Sequence, residues 1–264
     1  NPIGSILGIL VSKYFILQDI SLYSVSGTYA GLGVVLLVIM VVMLFARMPE
    51  GKDETKQASL INTFSRLAKN KKYIWGVVAQ FFYVGAQIGV WSFTIRLVMK
   101  ELGYVEAQAA TLYLISIIGF CASRFVYTWL MKYVAPVRLL AAGSVLSALC
   151  ALVVVLAGGW VAVIALVLIS AFMSLMFPTI YGIALGSLNE NDKEKGDVKI
   201  GASGLIMAIL GGALITPLQG MVSDVTGSIN TSYVVPLGCF IVVLCYALFA
   251  VRNEKILSNP DSGR

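Results

Sequence analysis

The sequence contains no histidine, and only 12% of its 264 residues are charged. The first absence excludes His-based acid–base catalysis, His metal ligation and a His pH switch. The second stands beside a hydrophobic share of 59%, against roughly 45–50% apolar and about 25% charged in a soluble domain. A single water-soluble core of this length does not hide so much apolar surface. A soluble enzyme, a disordered chain and a disulfide-stapled module are excluded together, and the chain reads as a polytopic membrane protein. The cysteines are few. Cys121, Cys150, Cys239 and Cys245 all lie inside apolar runs, where they are expected as small buried hydrophobes rather than as bridges. No metal site and no cofactor are expected. The chain begins at Asn1 within an apolar run, without a basic leader, and is expected to be a piece of a longer protein.

Acidic residues are also missing where a membrane protein would use them. No Asp or Glu lies inside any apolar run, and Asp224 sits at an outer end. An intramembrane acid is the usual proton carrier, so a proton-coupled function would need a carboxylate from elsewhere.

What is present is a series of long apolar segments. A spanning helix needs about 20 mostly apolar residues. The sequence predicts eight such segments: 1–17 (truncated), 26–46, 73–97, 108–131, 137–157, 160–186, 200–222 and 231–251. The runs are continuous and lack the alternation of membrane strands, so an all-α membrane fold is expected. Lys and Arg set the orientation. With Ala46–Lys72 placed in the cytoplasm, 15 of the 19 basic residues fall on that side. Lys13 and Lys100 fall outside, and Arg96 and Arg124 fall within spans. The charges occupy separate short loops and form no single face, so the net charge of +6 implies no nucleic-acid partner.

Loop lengths outline the architecture. Residues 47–72 form one long polar connection, with six spans after it and at least two before it. This pattern predicts a transporter of two six-helix bundles, cut within its first bundle. The expected parts are a remnant of the N-terminal bundle (1–46), a central cytoplasmic loop (47–72), the C-terminal six-helix bundle (73–251) and a cytoplasmic tail (252–264). Phe64–Lys72 reads either as an interfacial basic helix or as a plain charged flank.

The most informative face lies on the span 73–97. Gln80, Tyr83, Gln87 and Trp91 are spaced by three, four and four, which forms one helical stripe. Amides facing lipid are costly, so the stripe should face protein or a wet cavity. Each Gln offers two donors and an acceptor, which match the neighbouring hydroxyls of a neutral polyol, and an aromatic ring beside them covers the apolar face of a sugar. Interhelical hydrogen bonding explains the same stripe, and spacing alone leaves both readings open. Ser174, Met176, Phe177, Pro178, Thr179 and Tyr181 mark the span 160–186, where Pro178 should kink the helix near mid-membrane. Gly201, Gly204, Gly211, Gly212, Pro217 and Gly220 suit close contact and bending in the span 200–222, with Gly211, Gly212 and Pro217 as gating candidates. The pairs Gly4 and Gly8, Gly27 and Gly31, and Gly182 and Gly186 suggest further close contacts. Arg96 lies near an outer end and can snorkel, whereas Arg124 is deeper and is read as a latch to loop carbonyls or an acid. Gly201-Ala202-Ser203-Gly204 matches the short string of rhomboid proteases, but with no histidine the serine lacks its usual base. No enzyme is expected.

Several of these residues carry a family resemblance. Ser65-Arg66-Leu67-Ala68, Ala79-Gln80-Phe81, Tyr83-Val84-Gly85-Ala86-Gln87, Trp91-Ser92 and Ile95-Arg96 resemble the seventh helix of the fucose and glucose/galactose permease branch of the major facilitator superfamily. So do Ala171-Phe172-Met173-Ser174 with Pro178-Thr179-Ile180, and Thr216-Pro217 with Gly220 and Val222-Ser223-Asp224. The resemblance implies proton-coupled monosaccharide uptake by alternating access across a bacterial inner membrane, with coupling carboxylates in the first and fourth helices, ahead of these residues. The opening Asn1-Pro2-Ile3-Gly4 resembles the middle of the fifth helix, which implies that Asn1 is a cavity residue. Phe177 stands where fucose carriers have a tyrosine, so the particular sugar stays open; Phe177 and Tyr181 are expected on the wall opposite the stripe. The rivals are a drug or metabolite exporter of the same superfamily and a non-transporting membrane sensor or scaffold.

Overall fold

A computed structural model describes residues 2–16, 22–46, 60–188 and 195–258. Twelve α-helices carry the described residues, and no strand occurs among them. In chain order these are α1 (Pro2–Val11), which continues into a π-helical turn (Ser12–Ile16), then α2 (Leu22–Phe45), α3 (Leu60–Lys69), α4 (Lys71–Leu102), α5 (Glu106–Leu130) and α6 (Pro136–Leu156). There follow α7 (Gly159–Met173), α8 (Met176–Gly186), α9 (Lys195–Met207), α10 (Leu210–Thr226), the short α11 (Ile229–Ser232) and α12 (Val234–Ser258). Seven helical stretches are long and apolar enough to cross a membrane, and Gly4–Ile16 is a shorter apolar helix. The chain is a multi-pass membrane protein.

Local chemistry sets the helix ends. Asn70 caps α4 by accepting from the backbone N–H groups of Lys72 (3.1 Å) and Tyr73 (3.2 Å). Gly103, at φ +66°, closes the same helix in the left-handed conformation that favours glycine. The helix expected near Phe64–Lys72 is present as α3 and begins earlier; it buries Thr63 and Leu67 and leaves Arg66 and Lys69 exposed. Residues 47–59 of the long connection and 259–264 of the tail lie outside the described residues.

The helix α4 is the hub of the bundle. It packs on α5, α7, α8, α10 and α12, while α12 lies on α6 and α6 on α7. The contact with α10 is closest. A methyl group on Gly211 would collide with the Phe81 carbonyl, one on Gly212 with Ile88, and one on Gly85 with Ile215. Small residues thus let two spanning helices approach backbone to backbone. Gly201, Gly204 and Gly220 also meet neighbours, but the expected paired contacts are not formed: a Cβ at Gly4, Gly8, Gly27, Gly31, Gly182 or Gly186 would meet nothing within 4 Å. Spacing by four places both members of a pair on one face, but only a neighbouring helix turns that face into a contact. Among the cysteines only Cys239 is buried, and Cys245 is exposed on the outer side of α12. The helix α1 packs on α5, where Lys13 Nζ donates to Thr111 Oγ1 at 2.8 Å. None of the described residues of α2 is buried.

Two spans are interrupted. The segment expected as one kinked helix over 160–186 breaks at Ser174–Leu175, between α7 and α8. Pro178 lies within the first turn of α8, where proline is tolerated because its missing N–H has no intrahelical partner to lose. The span 200–222 breaks at Ala208–Ile209 rather than at Pro217, which stays inside α10. Around that break the backbone tightens to three-residue bonds, Ile209 N–H to Ile206 O and Gly211 N–H to Ala208 O, each at 3.0 Å.

Candidate functional site

The break between α7 and α8 leaves backbone groups that the ladder does not use. Proline at position 178 has no N–H to give to the carbonyl of Ser174, four residues earlier. The Arg124 guanidinium takes that carbonyl instead, with Nε at 3.4 Å and Nη2 at 3.2 Å. The carbonyl of Met173 accepts the Tyr83 hydroxyl at 3.0 Å. Both side chains therefore replace helix hydrogen bonds at the break. Arg124 also lies over the Phe120 ring, 5.0 Å from its centroid. The partner of Arg124 is thus a carbonyl within a broken helix, where a loop carbonyl or an acid was expected.

A cavity of about 420 Å³ opens beside this point, among α1, α4, α5, α8 and the break before α10. Gln87 and Trp91 line it from α4, Ile117, Phe120 and Arg124 from α5, and Phe177 from α8. Val84 and Ile88 of α4, Ser5 of α1 and Ile209 complete the wall. The break before α10 borders this space through Ile209, and the α7–α8 break adjoins it through Phe177 in the first turn of α8 and Arg124 on the Ser174 carbonyl. Discontinuous helices at mid-membrane are the common way in which transporters build binding sites.

The predicted stripe divides in two. Gln87 and Trp91 are half-buried and face the cavity, and Gln87 makes no hydrogen bond with a described residue. Trp91 donates its indole N–H to Ser170 Oγ (3.3 Å), and Ser116 donates to the same oxygen (2.6 Å). Its ring meets Phe120 edge to face at 5.1 Å. By contrast, Gln80 and Tyr83 are fully buried and do not line the cavity. The amide nitrogen and oxygen of Gln80 both lack a hydrogen-bond partner among the described residues. The stripe follows α4 faithfully, but α7 and α8 pack over its first half.

The other predicted residues spread around this centre. Phe177 touches Tyr83 (6.3 Å between centroids) and stacks on Tyr181 at 6.4 Å. Tyr181 does not line the cavity; it packs with the cluster of Leu67, Tyr73 and Leu205. Pro178 marks the break, and Gly211, Gly212 and Pro217 lie on α10 behind α4. Asn1 lies outside the described residues. Ser203 is exposed and donates to the Lys199 carbonyl at 3.0 Å, an ordinary bond back along its helix. Ser116, Ser170 and Phe120 were not singled out from the sequence. Two serines inside apolar spans were the available signal, since buried hydroxyls in a membrane need partners.

The arrangement is a cavity in a helical membrane bundle, with an amide, an indole, a guanidinium and the serine at position 5 set among apolar walls. The chain belongs to the Major Facilitator Superfamily, whose profile matches residues 1–196. It is 37% identical to an L-fucose-proton symporter of Haemophilus influenzae, over 97% of this chain and 65% of that protein. It is 39% identical to the L-fucose-proton symporter of Escherichia coli, over 82% of this chain and 49% of that protein. A putative glucose/galactose transporter of Helicobacter pylori is 34% identical, over 88% of this chain and 56% of that protein. The chain thus spans about half to two-thirds of the length of these relatives. Among solved structures, the transporter FucP in its outward conformation superposes with a TM-score of 0.70 at 36% identity, covering 86% of this chain and 55% of that one.

Proposed function

We propose that this chain is a fragment, the C-terminal portion, of a proton-coupled monosaccharide carrier that works by alternating access in a bacterial inner membrane. The observation that carries the reading is the Gln87 amide, which bonds to no described residue, beside Trp91 at a cavity of about 420 Å³. An amide with free donors and acceptor suits paired hydroxyls, and the indole suits the apolar face of a sugar ring. Phe177 and Arg124 supply the opposite wall. Gln80, Tyr83 and Tyr181 support the wall from behind, and Asn1 is proposed to face the same space. Arg124, Pro178, Gly211, Gly212 and Pro217 are the proposed gating elements.

The likeness to L-fucose-proton symporters and to glucose/galactose transporters supports a sugar and a proton as cargo. The acids of the spans, Glu101, Glu106 and Asp224, all lie at helix ends, so the coupling carboxylates are proposed for the bundle that precedes α4 in the complete carrier. The lysine-rich loop 47–72 and the C-terminus are proposed to face the cytoplasm. The protein is proposed to act as a carrier and not as an enzyme. The test uses proteoliposomes holding the complete carrier: adding substrate sugar outside should alkalinise the external medium. No alkalinisation across a panel of hexoses, 6-deoxyhexoses and pentoses refutes the reading.

A further inference from the structure

A second hollow, of about 260 Å³, lies away from the central cavity at the lysine-rich end of the bundle, among α4, α6, α8 and α12. Its walls are mostly apolar: Val137, Ile183, Phe249 and the Tyr246 ring. Its polar rim is Lys72, Ser187 and Asn253. Most of that polarity is already used. Ser187 donates its hydroxyl to the Ala184 carbonyl (2.6 Å), and its own carbonyl accepts from Asn70 (3.0 Å). Asn253 donates to the Phe249 carbonyl at 2.9 Å. Lys72 is exposed and makes no ion pair with a described side chain. Val137 belongs to the first turn of α6, whose N-terminus adds the positive end of a helix dipole. The exposed Lys71, Arg138 and Arg252 adjoin the lining residues in sequence, against one acidic neighbour, Glu254, so the charge next to the lining is predominantly basic.

The hollow therefore combines positive charge, which no described side chain pairs, with walls that want hydrocarbon, at the end of a membrane-spanning bundle. We propose that it holds the phosphate headgroup of an anionic phospholipid drawn from the surrounding bilayer. Basic pockets between spanning helices have the chemistry to take such headgroups. The phosphate meets Lys72, the glycerol portion fills the apolar hollow, and the acyl chains run along the exposed Leu248 and Phe249 of α12. A zwitterionic lipid fits less well, because its own cation is brought toward Lys72 and its neighbours. A free phosphate ion fits less well, because it leaves charged oxygens against Val137 and Ile183.

The test takes the purified chain in neutral detergent micelles with phosphatidylglycerol, phosphatidylcholine or inorganic phosphate, counting bound lipids by native mass spectrometry. The wild type should retain phosphatidylglycerol in preference to phosphatidylcholine. Lys72→Ala, at an exposed position, should weaken phosphatidylglycerol about fivefold and leave phosphatidylcholine unchanged. Gly186→Trp fills the hollow, since a Cβ there meets nothing within 4 Å, and should abolish retention. Unchanged melting of the lipid-free variants shows that the fold is kept. If Gly186→Trp melts early, Lys72→Ala decides alone. Equal retention of the two lipids, or wild-type retention by Lys72→Ala, overturns the proposal. Displacement of the lipid by millimolar inorganic phosphate also overturns it and assigns the hollow to a free anion.

Discussion

Gln80 and Gln87 are two turns apart on one helix, yet their leucine variants should have opposite consequences. Gln80 is fully buried, and neither end of its amide has a partner. An orphaned buried polar group costs about 1–3 kcal/mol, and an apolar side chain of similar length removes that cost. Less the strain of refitting leucine's branched end, Gln80→Leu should stabilise by about 1–2 kcal/mol, or about 2–8 °C in Tm for a chain of this size. Gln87 is half-buried at the cavity and bonds to no described residue. Gln87→Leu should leave Tm unchanged without ligand. It should remove about two ligand hydrogen bonds worth about 0.5–1.5 kcal/mol each, a loss of roughly five- to 150-fold in sugar affinity. The assay is thermal unfolding of the complete carrier in micelles, with and without sugar, paired with calorimetric titration. A fall in Tm for Gln80→Leu would refute the dry, unbonded placement of its amide. Loss of sugar binding in that variant would mean that Gln80 reaches the ligand, and wild-type binding by Gln87→Leu would defeat the site.

Other consequences can be checked on the same material. Gly211→Ala puts a methyl group into the Phe81 carbonyl, and should lower Tm through about 1–3 kcal/mol of overpacking, whereas Gly182→Ala, in open space, should leave Tm unchanged or slightly raised. Arg124→Met keeps much of the side chain's bulk but strands the Ser174 carbonyl; a loss of about 1–3 kcal/mol is expected, and an unchanged Tm would show that the two bonds contribute nothing. In Ser170→Ala the Trp91 indole loses its acceptor, so tryptophan emission should shift while insertion into the membrane is unaffected.

Composition and periodicity made the helices legible, because spanning a bilayer demands long apolar runs and leaves little else to encode. The eight expected segments correspond to α1, α2, α4, α5, α6, α7 with α8, α9 with α10, and α12. The interruptions were less legible. Proline drew attention to positions 178 and 217, but the breaks fall at Ser174–Leu175 and Ala208–Ile209. Pro178 acts on the carbonyl four residues behind it, so its effect lies upstream of its own position. At Ala208 no proline or glycine marks the spot; Gly204, Gly211 and Gly212 flank it and weaken the ladder from both sides. The site was legible at half resolution: spacing put Gln80, Tyr83, Gln87 and Trp91 on one face, while tertiary packing decided which half of that face meets the cavity. Ser116 and Ser170 escaped notice because a serine in an apolar run reveals its partner only in three dimensions.

The carbonyl of Ser174 rests on a guanidinium tip rather than on a rung of the helical ladder. Withdrawing a flexible side chain is a far smaller event than unwinding a turn, so the joint between α7 and α8 is held by a contact that is cheap to release. Bending there requires both Arg124 and Tyr83 to give up the carbonyls they hold, and the same arginine lines the cavity beside the joint.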